Sequence, residues 1–159
     1  MDIRTGLGYD IHRFAAGRKL VLGGVEIPHE YGLEGHSDAD VLLHALCDAI
    51  LGALGLGDIG EHFPNTDLQY KDISSLLLLD EVNKQMREAG YRLTNIDCML
   101  QAEEPNLKDY KPAMRNLIAL RLGIPYESVN IKATTMEGMG SIGRREGIAA
   151  FATVLLIKD

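Results

Sequence analysis

Residues 35–48, GHSDADVLLHALCD, hold two histidines and three aspartates in fourteen positions and lead into an almost wholly apolar stretch ending at Leu54. Imidazoles and carboxylates are the side chains that bind metal ions and move protons. Asp40, His44 and Asp48 recur every four residues, which predicts one polar stripe on an otherwise apolar helix. A helix that is apolar nearly all round is buried, and buried polar groups need partners. Near the N-terminus, Asp10 and His12 stand two residues apart. In an extended strand they point the same way. Asp10, His12 and His44 together would supply two imidazoles and a carboxylate, a set that fits zinc and leaves a fourth position for substrate. Spacing alone favours three ordinary hydrogen-bonded residues, because there is no HExxH-type signature. The metal reading gains from a histidine in an apolar helix with a carboxylate one turn to either side, and Asp48 is the expected partner that orients it.

Three further segments could do chemistry. His36-Ser37-Asp38 precedes the helix. Ser37 is the expected N-cap, with Asp40 three residues on, and free N–H groups there favour an anion such as phosphate. Residues 58–67, DIGEHFPNTD, read as a polar loop without period, either plain surface or a grip on a diol such as ribose. Residues 132–144, KATTMEGMGSIGR, join hydroxyls, a carboxylate and cations to a flexible backbone. There Thr134, Thr135 and backbone N–H groups could hold phosphates while Glu137 holds Mg²⁺ or Mn²⁺. The plainer reading is a connection between strands.

The elements that must position these groups follow from pattern. Residues 3–8 read as a strand, 20–27 as a hairpin turning at Gly23-Gly24, and 38–54 as the buried helix. A second helix is expected over 74–89, capped by Ser74 and stopped by Gly90. Strand 91–102, helix 109–123, strand 129–135 and strand 148–157 complete the chain. The last is apolar on both faces, so it belongs in the centre of a sheet or at an interface. The order predicts an α+β fold, a mixed α/β sandwich in which a small mixed sheet carries helices on one face. Self-association would cover the other face.

With 159 residues the chain suggests one domain, 1–159, with a sizeable core. A net charge of −7, from 16 basic and 23 acidic residues, argues against nucleic acid and anionic membrane surfaces as partners. It leaves room for a phosphorylated small molecule held by a metal and backbone N–H groups. Cys47 and Cys98 read as reduced core thiols of a cytoplasmic protein. No secretory signal and no membrane span is expected.

In chain order, GYDIHR, GGVEIP, GHSDADVLLHALCDAILGALGLGDIGEHFPNTD, NIDCML, VNIKATTMEGMGSIGRREGIA and LLIK span nearly the whole sequence. Together they closely resemble the 2-C-methyl-D-erythritol 2,4-cyclodiphosphate synthase family of the non-mevalonate (MEP) isoprenoid pathway, in its monofunctional form. The resemblance implies a phosphorus–oxygen lyase that cyclises 4-diphosphocytidyl-2-C-methyl-D-erythritol 2-phosphate and releases CMP. It implies a homotrimer, sheets facing its interior, with each active site between neighbouring subunits. Asp10, His12 and His44 match zinc ligands, and Glu137 matches the residue at the second cation. His36, Thr135 and Glu137 match catalytic positions. Asp10, His12, His36 and Ser37 match substrate contacts, Asp58, Ile59 and Gly60 the sugar grip, and Phe63, Pro64, Asn65, Thr66 and Asp67 the adjoining loop. Ala102, Pro105, Lys108, Thr134, Thr135 and Met136 match the cytidine diphosphate pocket. Ser141 matches a substrate contact, and Arg144 matches a basic residue on the threefold axis, near a central cavity where some relatives hold an isoprenoid diphosphate.

The chain departs from the family's usual Gln and Lys at Glu103 and Asn106, from Thr at Met136, and from Gly at Arg145. Two other readings stand beside the synthase: a zinc-dependent phosphoesterase, and a non-catalytic trimer that binds isoprenoid diphosphates.

Overall fold

The computed structural model describes residues 2–158. In chain order the elements are β1 (Ile3–Ala15), β2 (Leu20–Leu22), β3 (Val25–Ile27), β4 (Gly32–Leu33), α1 (Val41–Leu54), α2 (Ile59–His62), α3 (Ser75–Glu88), β5 (Tyr91–Gln101), α4 (Lys111–Leu122), β6 (Val129–Thr134), α5 (Gly140–Gly143) and β7 (Gly147–Lys158). Five strands form one mixed sheet in the order β4-β1-β7-β5-β6. β7 is central and antiparallel to both neighbours, while β5 and β6 run parallel. α1 packs on β1 and β7, α3 on β5 and α4 on β6, so the long helices share one face. This is the expected α+β architecture.

β1 runs well past residue 8, the end its apolar pattern suggests. It pairs with β7 from Ile3 opposite Ile157 to Arg13 opposite Gly147, and that ladder carries the polar residues along. Its even-numbered residues face α1 and its odd-numbered ones face outward. Gly6 and Gly8 occupy the inner face because nothing larger fits. A Cβ on Gly6 would lie 1.8 Å from the Ala49 carbonyl oxygen, and one on Gly8 would lie 1.8 Å from that of Ala45. Ala45, Ala49 and Ala53, spaced by four, give α1 a matching smooth side. Helix and strand therefore meet backbone to backbone.

α1 begins at Val41, not at 38, and its N-cap is Asp40, not Ser37. Ala39 has φ +56°, a left-handed residue that no helix continues through. Ser37 Oγ instead accepts from the Ala39 N–H at 3.2 Å, bracing the turn before the cap. Two segments expected as loops contain a single helical turn each, α2 and α5. α4 starts at Lys111 after a 3₁₀ turn at Lys108–Tyr110, two residues beyond the expected start.

The hairpin, the Ser74 cap and the end of α4 at Gly123 agree with expectation. Both cysteines are free and buried, and burial pushes both thiols up, Cys98 to about 12. Among the described residues no helix is long and apolar enough to cross a membrane. The uncovered sheet face exposes Ile3, Leu7, Tyr9, Ile11 and Phe151, and the Tyr9 and Phe151 rings pack at 4.8 Å.

Candidate active site

Because α1 lies so close to β1, His44 reaches the two inward side chains that follow Gly8. Asp10 Oδ2 is 2.8 Å from His12 Nε2 and 3.0 Å from His44 Nδ1, and the two ring nitrogens are 3.2 Å apart. His12 Nδ1 is 2.6 Å from the Glu34 carbonyl oxygen. A carbonyl can only accept, so Nδ1 donates there, and in the neutral ring the Nε2 lone pair faces Asp10. One carboxylate oxygen and two imidazole nitrogens thus converge on one point, the only such group among the described residues. Tetrahedral zinc with ligands at about 2.0–2.1 Å would hold neighbouring donor atoms about 3.3 Å apart. The observed triangle is a few tenths of an ångström tighter, so the donor set fits a divalent ion with little movement.

The electrostatics of this centre favour added positive charge. Burial pushes the Asp10 carboxyl up, but the His12 and His44 imidazoles beside it outweigh that and bring it down to about 2. Burial pushes His12 down, and the Asp10 carboxylate outweighs that and holds it above its ordinary value.

The stripe Asp40–His44–Asp48 exists, but its members serve three different neighbours. Asp40, fully buried, accepts from the N–H groups of Gly23, Gly24 and Leu43, so it locks the β2–β3 turn onto the start of α1. Burial, and Asp38 nearby, push its carboxyl up to about 6. Asp48 does not hold His44. It accepts from the Ile59 N–H at 2.7 Å and so anchors α2. What touches His44 Nε2 is a pair of hydroxyls, Ser37 Oγ at 3.1 Å and Ser75 Oγ at 2.9 Å.

Two hollows lie at the same end of the sheet. The first, of about 200 Å³, opens over Asp10, His12 and His44 and is walled by His36, Ser37, Ile59, Gly60, Phe63 and Asn65. His36 Nε2 donates to the Asp67 carbonyl at 3.1 Å, which fixes the ring beside the pocket. Asp58 caps α2 through the Glu61 N–H rather than lining this hollow. Pro64, Thr66 and Asp67 do not line it either, and the Asp67 carbonyl acts only through His36.

The second hollow, of about 360 Å³, is lined by Ala102, Glu103, Pro105, Lys108, Thr134 and Thr135 among others. Cross-strand register puts Asp10 in one row with Ala150, Leu100 and Ala133. The hollows are therefore level along the strands but three strand spacings, about 14 Å, apart.

Glu137 lies on the turn beside the second hollow, with φ +53°. That strained residue is held by its neighbours. Glu103 Oε1 accepts from the Met136 and Gly138 N–H groups at 2.9 and 3.0 Å. The departure from Gln at Glu103 therefore keeps the one oxygen that the turn uses. Ser141 lines a separate hollow with Ile11, His12 and Arg13, and Arg144 is engaged with Glu146 at 2.9 Å. The residues that sequence reasoning missed are Ser75, the Glu34 carbonyl and the glycines of β1. Only the glycines had a signal, in Gly6-x-Gly8 set against alanines spaced by four.

Fold and site define a class: a mixed five-stranded sheet layered with helices, carrying a two-histidine, one-aspartate triad that could hold a metal ion beside its buried helix. The chain belongs to the YgbB family, whose model matches residues 3–157. It is 59% identical over 154 residues to the 2-C-methyl-D-erythritol 2,4-cyclodiphosphate synthase of Syntrophomonas wolfei subsp. wolfei, covering 97% of this chain and 98% of the relative. The relative of that name from Alkaliphilus metalliredigens is 60% identical over 152 residues, 96% of each chain.

Among solved structures, the bifunctional IspDF from Campylobacter jejuni superposes with a TM-score of 0.96 at 48% identity. It matches 99% of this chain, which spans 43% of that longer protein. The CDP complex of IspF from Plasmodium falciparum has a TM-score of 0.87 at 33% identity, covering 99% of this chain and 97% of that one.

Proposed function

We propose that this chain is a 2-C-methyl-D-erythritol 2,4-cyclodiphosphate synthase, a phosphorus–oxygen lyase of the MEP isoprenoid pathway working in the cytoplasm. The observation that carries the reading is the convergence of Asp10, His12 and His44 beneath an open hollow, in a chain about three-fifths identical to relatives of that name. In this reaction the 2-phosphate oxygen of 4-diphosphocytidyl-2-C-methyl-D-erythritol 2-phosphate bonds to the β-phosphorus. The bond from that phosphorus to the CMP oxygen breaks, and CMP leaves with the electron pair. The attacking phosphate is already an anion, so no strong general base is required. The difficulty is to bring anions together in line, which calls for positioning and charge neutralisation.

Asp10, His12 and His44 would hold Zn²⁺, and Glu137 would hold Mg²⁺ or Mn²⁺ against the diphosphate. Such cations neutralise phosphate oxygens and polarise them. The chain's own part is orientation. His36 and Ser37 face the first hollow and would hold the erythritol phosphate end, with Asp58, Ile59 and Gly60 at the sugar. Lys108, Thr134 and Thr135 in the second hollow, with backbone N–H groups of the 136–138 turn, would hold cytidine and its phosphates. The P. falciparum relative bears CDP in its complex, which supports a cytidine diphosphate in this fold.

With the hollows about 14 Å apart in one subunit, a complete site is best built from the first hollow of one chain and the second of its neighbour in a homotrimer. The exposed apolar row of Leu7, Tyr9, Ile11 and Phe151 supports burial of that sheet face inside the trimer. The test is CMP release by the purified protein supplied with substrate, zinc and magnesium, alongside elemental analysis. His44→Ala is expected to lose bound zinc and turnover together. Full turnover by a zinc-free His44→Ala protein would overturn the proposal.

A further inference from the structure

Asp38 belongs to the segment richest in chemistry, yet neither the triad nor the pocket walls use it. Its carboxylate is fully occupied below α1. Oδ1 accepts from the Ser75 hydroxyl at 2.5 Å and from the Asp40 N–H at 3.2 Å, and Oδ2 accepts from the Ser75 N–H at 3.0 Å. Ser75 is the first residue of α3, where backbone N–H groups lack helical partners and favour a negative charge. It has no exposed surface, so no water competes for its hydroxyl.

Proton counting then biases a neighbour. An ionised carboxylate has no proton to give, so Asp38 accepts in all three contacts. Ser75 has a single hydroxyl proton, and it is spent on Asp38. The face of Ser75 Oγ that lies 2.9 Å from His44 Nε2 is therefore a lone pair. A hydrogen bond there requires the proton to sit on Nε2. In the neutral ring that leaves Nδ1 bare, and Nδ1 is the atom 3.0 Å from Asp10 and 3.2 Å from His12 Nε2. The second hydroxyl near Nε2, Ser37 Oγ, accepts from the Ala39 N–H and keeps a proton of its own, so it fits either direction and leaves the choice to the Ser75 lone pair.

We propose that Asp38 and Ser75 are positioning residues that set the tautomer of His44, presenting Nδ1 as a ready ligand atom opposite Asp10 and His12. The chain of contacts runs carboxylate, hydroxyl, imidazole, and it starts on a residue 37 positions from its partner. It mirrors the device at the other histidine, where the Glu34 carbonyl fixes His12 through Nδ1. Each imidazole of the triad is held by its far nitrogen, as ligands of metal sites commonly are. The proposal rests on the triad being a metal site, but its first readout does not.

Nitrogen-15 NMR of the metal-free protein, at an alkaline pH where both imidazoles are neutral, reports which nitrogen of His44 carries hydrogen. The parent is expected to show it on Nε2 alone. Ser75→Ala removes the acceptor. Asp38→Ala leaves Ser75 in place but frees its proton to turn towards His44. Both variants are expected to show a mixture of tautomers, and competition with a chelator should show zinc binding weakened by about 10- to 100-fold. A purely structural role for Asp38 would change melting without moving the tautomer.

A proton on Nδ1 in the parent overturns the proposal, whatever the variants do. So does retention of the Nε2 proton and of parental zinc affinity in both folded variants. A parent with the expected tautomer that binds no zinc would instead overturn the metal reading of the triad.

Discussion

Gly8→Ala tests how closely the site depends on the contact between β1 and α1. The added methyl would start 1.8 Å from the Ala45 carbonyl oxygen and 2.8 Å from the Ala49 nitrogen, atoms of a helix backbone that cannot rotate away. Real Cβ atoms essentially never come within 3.0 Å, so strand and helix must part by at least about 1.2 Å. Overpacking of this kind costs about 1–3 kcal/mol. In a chain of this size each kcal/mol moves the melting temperature by about 2–4 °C, so a fall of about 2–12 °C is expected.

His44 is the residue next to Ala45, so it travels with the helix. Its Nδ1 would move from 3.0 Å to roughly 4 Å from Asp10 Oδ2, beyond hydrogen-bond reach. The expectation is a folded protein that melts lower and binds zinc at least about tenfold more weakly, with turnover falling in step. Calorimetry and chelator competition measure the two effects. Gly52→Ala is the control, since a Cβ there meets nothing nearer than the Leu7 carbonyl oxygen at 4.0 Å. It should stabilise by about 0.5–1 kcal/mol and leave zinc binding unchanged, because glycine inside a helix costs that much. A Gly8→Ala protein with parental melting and zinc affinity would refute the close-contact argument.

Other expectations follow from single contacts. Arg145→Gly should stabilise by about 1 kcal/mol in urea titration, because Arg145 holds φ +64°, a conformation that costs a residue with a side chain about that much. Asp40→Ala strips acceptors from three buried N–H groups and should cost about 3 kcal/mol or more. The Asp40 carboxyl is raised from 3.8 to about 6, so the folded state binds its proton more tightly than the unfolded chain does. Its contribution is therefore fully present below pH 3.8 and lost as pH rises through about 6. Comparison of urea stabilities across that window should show this slope in the parent and not in Asp40→Asn. If sites are shared between subunits, refolding His44→Ala with Thr135→Ala in equal amounts should regain about a quarter of parental turnover. No regain on mixing would place each whole site within one subunit.

Much of the fold could be read because its determinants are local. The Gly23-Gly24 turn, the Ser74 cap and the end of α4 at Gly123 each act through their own neighbours, and each stands where expected. The length of β1 could not be read, because its second half is set by pairing with β7, more than a hundred residues away. The start of α1 was misread for a related reason. Ser37 and Asp40 are both good caps, and only the left-handed turn at Ala39 decides between them. The triad was legible from residue type, while its arrangement needed the glycine contact that spacing within one segment cannot express. Asp48 looked like the partner of His44 on helical spacing alone. The structure gives Asp48 to α2 and hands His44 to Ser75, a residue to which the sequence pattern assigns no role.

The central claim is the reaction, and the identity of the product tests it most directly. Phosphorus-31 NMR of the zinc- and magnesium-loaded protein with its diphosphocytidyl substrate should show a pair of mutually coupled diphosphate phosphorus signals of the cyclic product, appearing in step with CMP. A linear phosphate product would make the protein a phosphoesterase. Unchanged substrate at full metal loading would make it a binding protein, and either result would contradict the account.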